Sequence, residues 1–164
     1  MRLCLRLLCA LGVLITLGVT DNAHADKTTF GYLERVMVYP GPIKIEAKLD
    51  TGADNTSIHA TNIKIGTKGG KQSVSFDVVT KTNVVQHFEK PVVRIARIKQ
   101  HSGKPQERPV VSFEICLGSI KRSVDVSLVD RSRFEYHLLI GRSFLAGHAL
   151  VDSGSAFTTE PACR

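Results

Sequence analysis

The chain has 164 residues, a formal net charge of +7, four cysteines and no tryptophan. This length allows one domain and excludes large two-lobed enzymes, long repeat arrays and multi-domain assemblies. A hydrophobic share of 43% with mean hydropathy near zero is too apolar for a disordered chain.

The basic balance would ordinarily suggest nucleic acid, but the first 25 residues redirect it. Met1 to Ala25 reads as a secretory signal. Arg2 and Arg6 form its basic start and Leu7 to Val19 its apolar run. Ala23-His24-Ala25 is an A-x-A cleavage site before Asp26. The run is too short and its exit too polar for a transmembrane helix, so a signal anchor ranks below cleavage. Cys4 and Cys9 follow leucines rather than small residues, so lipidation is not expected. Cleavage would leave 139 residues with 20 Lys and Arg against 14 Asp and Glu, a charge of +6. The expected plan is a signal peptide over 1–25 and one domain over 26–164, periplasmic or secreted, with no membrane span after cleavage. Nucleic acid is then no partner. The charge is expected to meet an acidic surface, polymer or substrate.

The remaining chain reads as strand. Ile43, Ile45, Ala47 and Leu49 alternate with Lys44, Glu46 and Lys48, the pattern of a half-buried strand. Gln72–Val79, Val92–Ile98, Val110–Leu117 and Ser123–Val129 also favour strand by composition. Breakers part them at Pro40-Gly41-Pro42, Gly66 to Gly70, Ser102 to Pro105 and Gly118-Ser119. Thr67-Lys68-Gly69-Gly70 has the composition of a hairpin tip. One short helix is expected, Arg142 to Gly147. The pattern suggests a small closed or sandwiched β-fold. Lys90 to Arg108 holds six basic residues against Glu107 alone. Individually these suit the solvated edge of a hairpin, and as a group they could steer an acidic substrate. Cys116 and Cys163 could pair in an oxidising compartment. A buried thiol beside a loose tail is an equal alternative.

Chemistry concentrates in two motifs. The alternating strand delivers Leu49-Asp50-Thr51-Gly52-Ala53 into a turn. A carboxylate is needed at the floor of a cleft, glycine lets loops approach closely, and a threonine hydroxyl can brace one loop against another. Near the C-terminus, His137-Leu138-Leu139-Ile140-Gly141-Arg142-Ser143-Phe144-Leu145 reads as an apolar strand, then Gly-Arg, then a short helix. The two motifs together are far more specific than the tripeptide Asp-Thr-Gly alone.

The pair resembles the retropepsin-like aspartic peptidases, relatives of retroviral proteases. The resemblance is closest to a bacterial family often labelled ATP-dependent zinc protease. It runs through Gly31-Tyr32-Leu33-Glu34, Ala47 to Ala53, Thr56 to Ala60, Leu139 to Arg142, Phe144 to Gly147 and Leu150-Val151-Asp152. After Ala53 many bacterial members carry a basic residue, whereas this chain has Asp54, as retroviral enzymes do.

The resemblance implies a small closed retropepsin-like β-barrel with one short C-terminal helix. It implies an aspartic endopeptidase acting as a homodimer. Asp50 of two protomers would form a dyad sharing one proton, one carboxylate activating water and the other acting as general acid. Thr51 and Gly52 would support the active-site loop, and Ala53 would leave room for substrate backbone. Lys90 to Arg108 would include the flap. Asp54 and Arg142, each an unpaired charge beside a motif glycine, are expected to form an ion pair that ties the loop to the helix at Gly141. No cofactor and no metal are implied by these residues.

Other readings of the same residues have less support. Asp152-Ser153-Gly154-Ser155 mimics the second loop of two-lobed aspartic peptidases, but too few residues separate it from Asp50 for two lobes. It is expected to be a polar turn. The zinc label finds no H-E-x-x-H. His59, His87, His101, His137 and His148 are scattered without ligand spacing, although His59 could shape the cleft. No P-loop supports ATP. A non-catalytic periplasmic interaction module on the same fold is the principal alternative, and a zinc-dependent peptidase is a weaker one. The substrate is expected to be a peptide or protein, acidic and glutamate-rich if the basic segment steers it.

Overall fold

A computed structural model describes residues 27–98 and 105–163. The segment expected to be a leader, His101 and the middle of the basic segment lie outside the described residues. Ten strands and one helix follow in order: β1 (Thr28–Tyr39), β2 (Ile43–Leu49), β3 (Thr56–Lys68), β4 (Lys71–Val79), β5 (Val85–Pro91), β6 (Arg94–Ile98), β7 (Gln106–Leu117), β8 (Ile120–Val129), β9 (Leu138–Ile140), α1 (Arg142–Leu145) and β10 (Ala149–Ala156).

Six strands close a ring in the order β1-β2-β9-β3-β8-β7, sealed by antiparallel pairing of β1 with β7. The fold is the small closed retropepsin-like barrel that the sequence implied. Closure leaves the ring no free edges. β10 and β6 lie at the outer ends of the sheet path. The outer half of β3 bends away to form a second layer with β4 and β5. Between the layers Phe76, Phe88 and Phe113 pack, with Phe88 and Phe113 edge to face at 5.3 Å.

The alternation of β2 is realised in full: Ile43, Ile45, Ala47 and Leu49 are buried. The turn at the end of β3 is also as expected, with Gly69 and Gly70 at φ +57° and +75°, a region that favours glycine.

Other segments differ from expectation. The strand placed at Val92–Ile98 begins at Arg94, and β5 precedes it, so the basic segment is divided between two layers. Lys90 belongs to β5, donates to the Ser112 carbonyl at 2.9 Å and lies 4.5 Å from the Phe113 ring centre. It therefore belongs to packing rather than to a flap. The hairpin proper is β6–β7. The helix ends at Leu145, and Gly147 beyond it has φ +81°. The turn expected at Asp152-Ser153-Gly154-Ser155 lies inside β10: Asp152 pairs parallel with Gly31, and the register shifts before Ala156 pairs with Leu33. Gly31 permits this pairing, because a Cβ there would stand 2.5 Å from the Ser155 carbonyl oxygen.

The open question over the cysteines is resolved: Cys116 and Cys163 form a disulfide. It fastens the C-terminal tail to β7. Glu34, fully buried on β1, holds the same tail. Its Oε1 accepts from the Gly31 and Thr158 amides at 2.8 and 3.0 Å, and its Oε2 from the Thr159 amide at 3.1 Å. A buried carboxylate is tolerated when such donors surround it.

Candidate active site

The two sequence motifs meet because β2 and β9 run parallel. Leu49 pairs with Ile140, so both strands end at the same level. Asp50 extends the ladder by one bond, its amide donating to the Ile140 carbonyl at 2.9 Å. Beyond this point the chains cross-brace. The Arg142 amide donates to the Ala53 carbonyl at 2.8 Å and the Ser143 amide to the Asp54 carbonyl at 3.0 Å. The Arg142 guanidinium donates to the Thr51 carbonyl at 2.8 Å and pairs with the Asp54 carboxylate. The buried Thr56 hydroxyl accepts from the Gly141 amide at 3.3 Å.

Gly141 is required here for space. A Cβ would lie 2.6 Å from the Asn55 carbonyl oxygen and 2.9 Å from that of Ala53. Gly52 supports the loop through its amide. Its φ is not in the left-handed region. Its amide donates to Asp50 Oδ1 at 2.9 Å, and a Cβ would come within 3.2 Å of that oxygen. The turn thus points one oxygen of Asp50 inward to a donor. Asp50 is half-buried, whereas Thr51, Gly52 and Asp54 are exposed and Ala53 is intermediate.

Asp50 shares a cavity with Lys48, Arg131, Phe134, Tyr136 and Leu139. Arg131 is the residue that sequence reasoning missed. It is buried, with Nη1 donating to Ser57 Oγ at 3.0 Å and Nε to the Tyr136 carbonyl at 3.0 Å. Its guanidinium carbon lies 4.6 Å from the Phe134 ring centre. Burial and the neighbouring Arg108 pull its pKa below the usual arginine value, and Asp50 draws it back. Asp50 and Arg131 are therefore electrostatic neighbours. Arg131 follows β8 in a charged turn, Asp130-Arg131-Ser132-Arg133, and nothing local distinguishes it from Arg133.

His59 anchors this arginine. Its Nδ1 accepts the Arg131 amide at 2.8 Å, which places the proton of the neutral ring on Nε2. Its ring lies 4.5 Å from that of His137. Burial first, then His137, hold its pKa below the ordinary histidine range. Its 3.5 Å approach to the Asp130 carboxylate is accordingly no ion pair. His59 is a satisfied buried histidine whose effect on the cleft passes through Arg131. Among the described residues, no three His, Cys, Asp or Glu side chains gather closely enough to hold a metal ion.

At the β6–β7 hairpin, Arg94 Nη2 donates to Asn55 Oδ1 at 3.1 Å, linking the base of β6 to the loop that follows Asp50. Residues 99–104, part of the segment expected to include the flap, lie outside the described residues.

A closed barrel with a single Asp-Thr-Gly loop locked against a Gly-Arg turn defines a retropepsin-like protein. The family model described as RimB-like, retropepsin-like aspartic endopeptidase RimB, matches residues 29–162, and the chain belongs to that family. The crystal structure of Lpg0085 from Legionella pneumophila, a protein with unknown function (DUF785), superposes with a TM-score of 0.71 at 36% identity. It covers 82% of this chain and 100% of that one. A protein of Shewanella pealeana named "Probable alpha-L-glutamate ligase" is 32% identical over 116 residues, covering 69% of this chain and 25% of that protein. One of Parasynechococcus marenigrum with the same name is 32% identical over 111 residues, covering 66% and 24%. The chain spans about a quarter of the length of these curated relatives.

Proposed function

We propose that this chain is an aspartic endopeptidase that acts as a homodimer outside the cytoplasm. One observation carries the reading: a half-exposed Asp50 carboxylate, oriented by the Gly52 amide on a loop locked to Gly141 and Arg142. One chain supplies one such carboxylate, so a second copy supplies the other. Two carboxylates at close range hold one proton between them. The ionised one takes a proton from water as it attacks the scissile carbonyl, and the protonated one donates to the carbonyl oxygen. Thr51, Gly52 and Ala53 hold the loop, and Asp54 with Arg142 braces it. Arg131, which lines the cavity of Asp50, places positive charge there, which favours acidic peptides.

The compartment is argued from the leader sequence and from the Cys116–Cys163 disulfide, which persists where thiols are oxidised. Among the described residues no helix is long and apolar enough to cross a membrane.

The test is peptide hydrolysis by the wild-type chain and Asp50→Ala, with and without EDTA, beside mass measurement in solution. The expected result is Asp50-dependent, EDTA-resistant cleavage by a dimer. A strictly monomeric active enzyme would overturn the shared dyad, and chelator sensitivity with Asp50 dispensable would revive zinc.

A second reading, a non-catalytic interaction module, is favoured by the matched relatives. There this region is a minor part of longer proteins named as ligases rather than peptidases. Asp50→Asn with full biological activity would support it.

A further inference from the structure

The cavity beside Asp50 adjoins another. It shares Glu135 and Tyr136 with a neighbouring cavity of about 310 Å³ that also takes in Arg35, Lys44, Glu46 and Lys81. The common floor is the outer face of β2, where Lys44, Glu46 and Lys48 alternate with the buried positions. Arg35 joins them from β1, directly opposite Glu46. Lys81, 5.6 Å from the Tyr136 ring centre, walls the far side.

At the end remote from Asp50 a carboxylate is already in place. Arg35 Nη1 donates to Glu160 Oε1 at 2.9 Å and Lys44 Nζ to Oε2 at 3.0 Å. Each oxygen thus meets one cation. Glu160 belongs to the tail that Glu34 and the disulfide fasten, and Arg35 also covers the ring of Phe157 in that tail at 4.6 Å. The Glu160 side chain itself is 56% exposed and is held by these two cations through water-accessible bonds. Such bonds exchange readily with those of another carboxylate.

We propose that Arg35 and Lys44 form a carboxylate-binding subsite for an acidic peptide laid along β2 from Asp50, and that Glu160 occupies it in cis. The proposal rests on the peptidase reading and adds a remote specificity site to it. Lys44 and Asp50 are six residues apart on an extended strand, about 20 Å. The carboxylate it grips therefore lies about six residues from the bond held at Asp50. Lys48, between them on β2, continues the positive track, and Arg131 lines the cavity at the Asp50 end. Glu46, in the middle, and Glu135, on the wall, disfavour acidic side chains directly against them. Glu160 is a competitor: it keeps the two cations paired while the site is empty and must be displaced by a substrate long enough to reach.

The test separates binding from catalysis. Fluorescein-labelled octaglutamate, with octaglutamine as control, is titrated by anisotropy at low salt into the full-length mature Asp50→Asn protein. Adding Glu160→Gln should tighten octaglutamate about threefold, and Arg35→Gln with Lys44→Gln should weaken it about five- to tenfold. Octaglutamine should respond to neither. Circular dichroism checks that each variant is folded, and Lys44→Arg, which keeps the charge, should bind as the parent does. Octaglutamate affinity unmoved by the double substitution, or by Glu160→Gln, overturns the proposal. Because Asp50→Asn is the background, these outcomes stand apart from whether Asp50 cleaves peptides.

Discussion

Two Asp-x-Gly sequences in this chain fold into one local shape and end in different surroundings. At Asp50 and at Asp152 alike, Oδ1 accepts the amide of the glycine two residues on, at 2.9 Å in both. Asp50 then meets the end of β9, the Gly141-Arg142 brace and the cavity of Arg131. Asp152 sits exposed on β10, an outer strand that pairs with β1, and its second oxygen accepts the Ser155 hydroxyl at 2.6 Å. That hydroxyl and the Gly154 amide hold its pKa below the usual carboxylate range. An aspartate turn is therefore cheap to form. What makes one of them a candidate for catalysis is the convergence of distant chain behind it.

The contrast can be broken in graded steps. Asp50→Asn should cut peptide hydrolysis by about 10²–10⁴-fold, the usual worth of a positioned acid or base, read as kcat/KM on a labelled acidic peptide. Cys163→Ser should act at the other end of the molecule. Releasing the tail from β7 should cost about 2–4 kcal/mol in urea unfolding, with kcat of the folded protein retained. If kcat collapsed as well, the two regions would not be separable.

Gly141→Ala attacks the brace directly. The added methyl meets carbonyl oxygens rather than a flexible side chain, so about 1–3 kcal/mol of stability should be lost, together with activity. Arg142→Ala removes an exposed pair and one bond to Thr51, for a loss of no more than about 1 kcal/mol. Its sharper readout is the monomer–dimer equilibrium. If stability, dimerisation and activity all stayed unchanged, the brace would be idle. Smallest of all, Asp152→Asn should leave kcat/KM within about twofold and stability within about 0.5 kcal/mol. A large loss there would mean that the exposed turn has a role the barrel does not reveal.

Legibility followed burial pattern. β2 was readable because one face is buried and the other wet, so its residues alternate. The start of β3 was not: Thr56 to Ala60 are buried on both faces, and alternation vanishes. β5 escaped because Val85 is exposed and polar residues surround Phe88, leaving little pattern to read. Arg131 left no trace at all, since its partners Ser57, His59 and Asp50 lie far away in sequence. The cysteine pair was undecidable for a related reason. Hydropathy places Cys116 in a strand but says nothing of where a tail residue will lie.

What the sequence determined by itself is local. It set the alternation of β2, the Asp-Thr-Gly turn, the Gly-Arg start of α1 and the glycine hairpin, because each depends on steric and hydrogen-bonding preferences of adjacent residues. The tertiary structure alone decided which turn became the site. Parallel pairing of β2 with β9 brings Asp50 and Gly141 to one level, and β8 delivers Arg131 beside them. It also decided that Glu160 would lie on Arg35 and Lys44, since a charge pair across a fold forms only after the backbone has closed the distance.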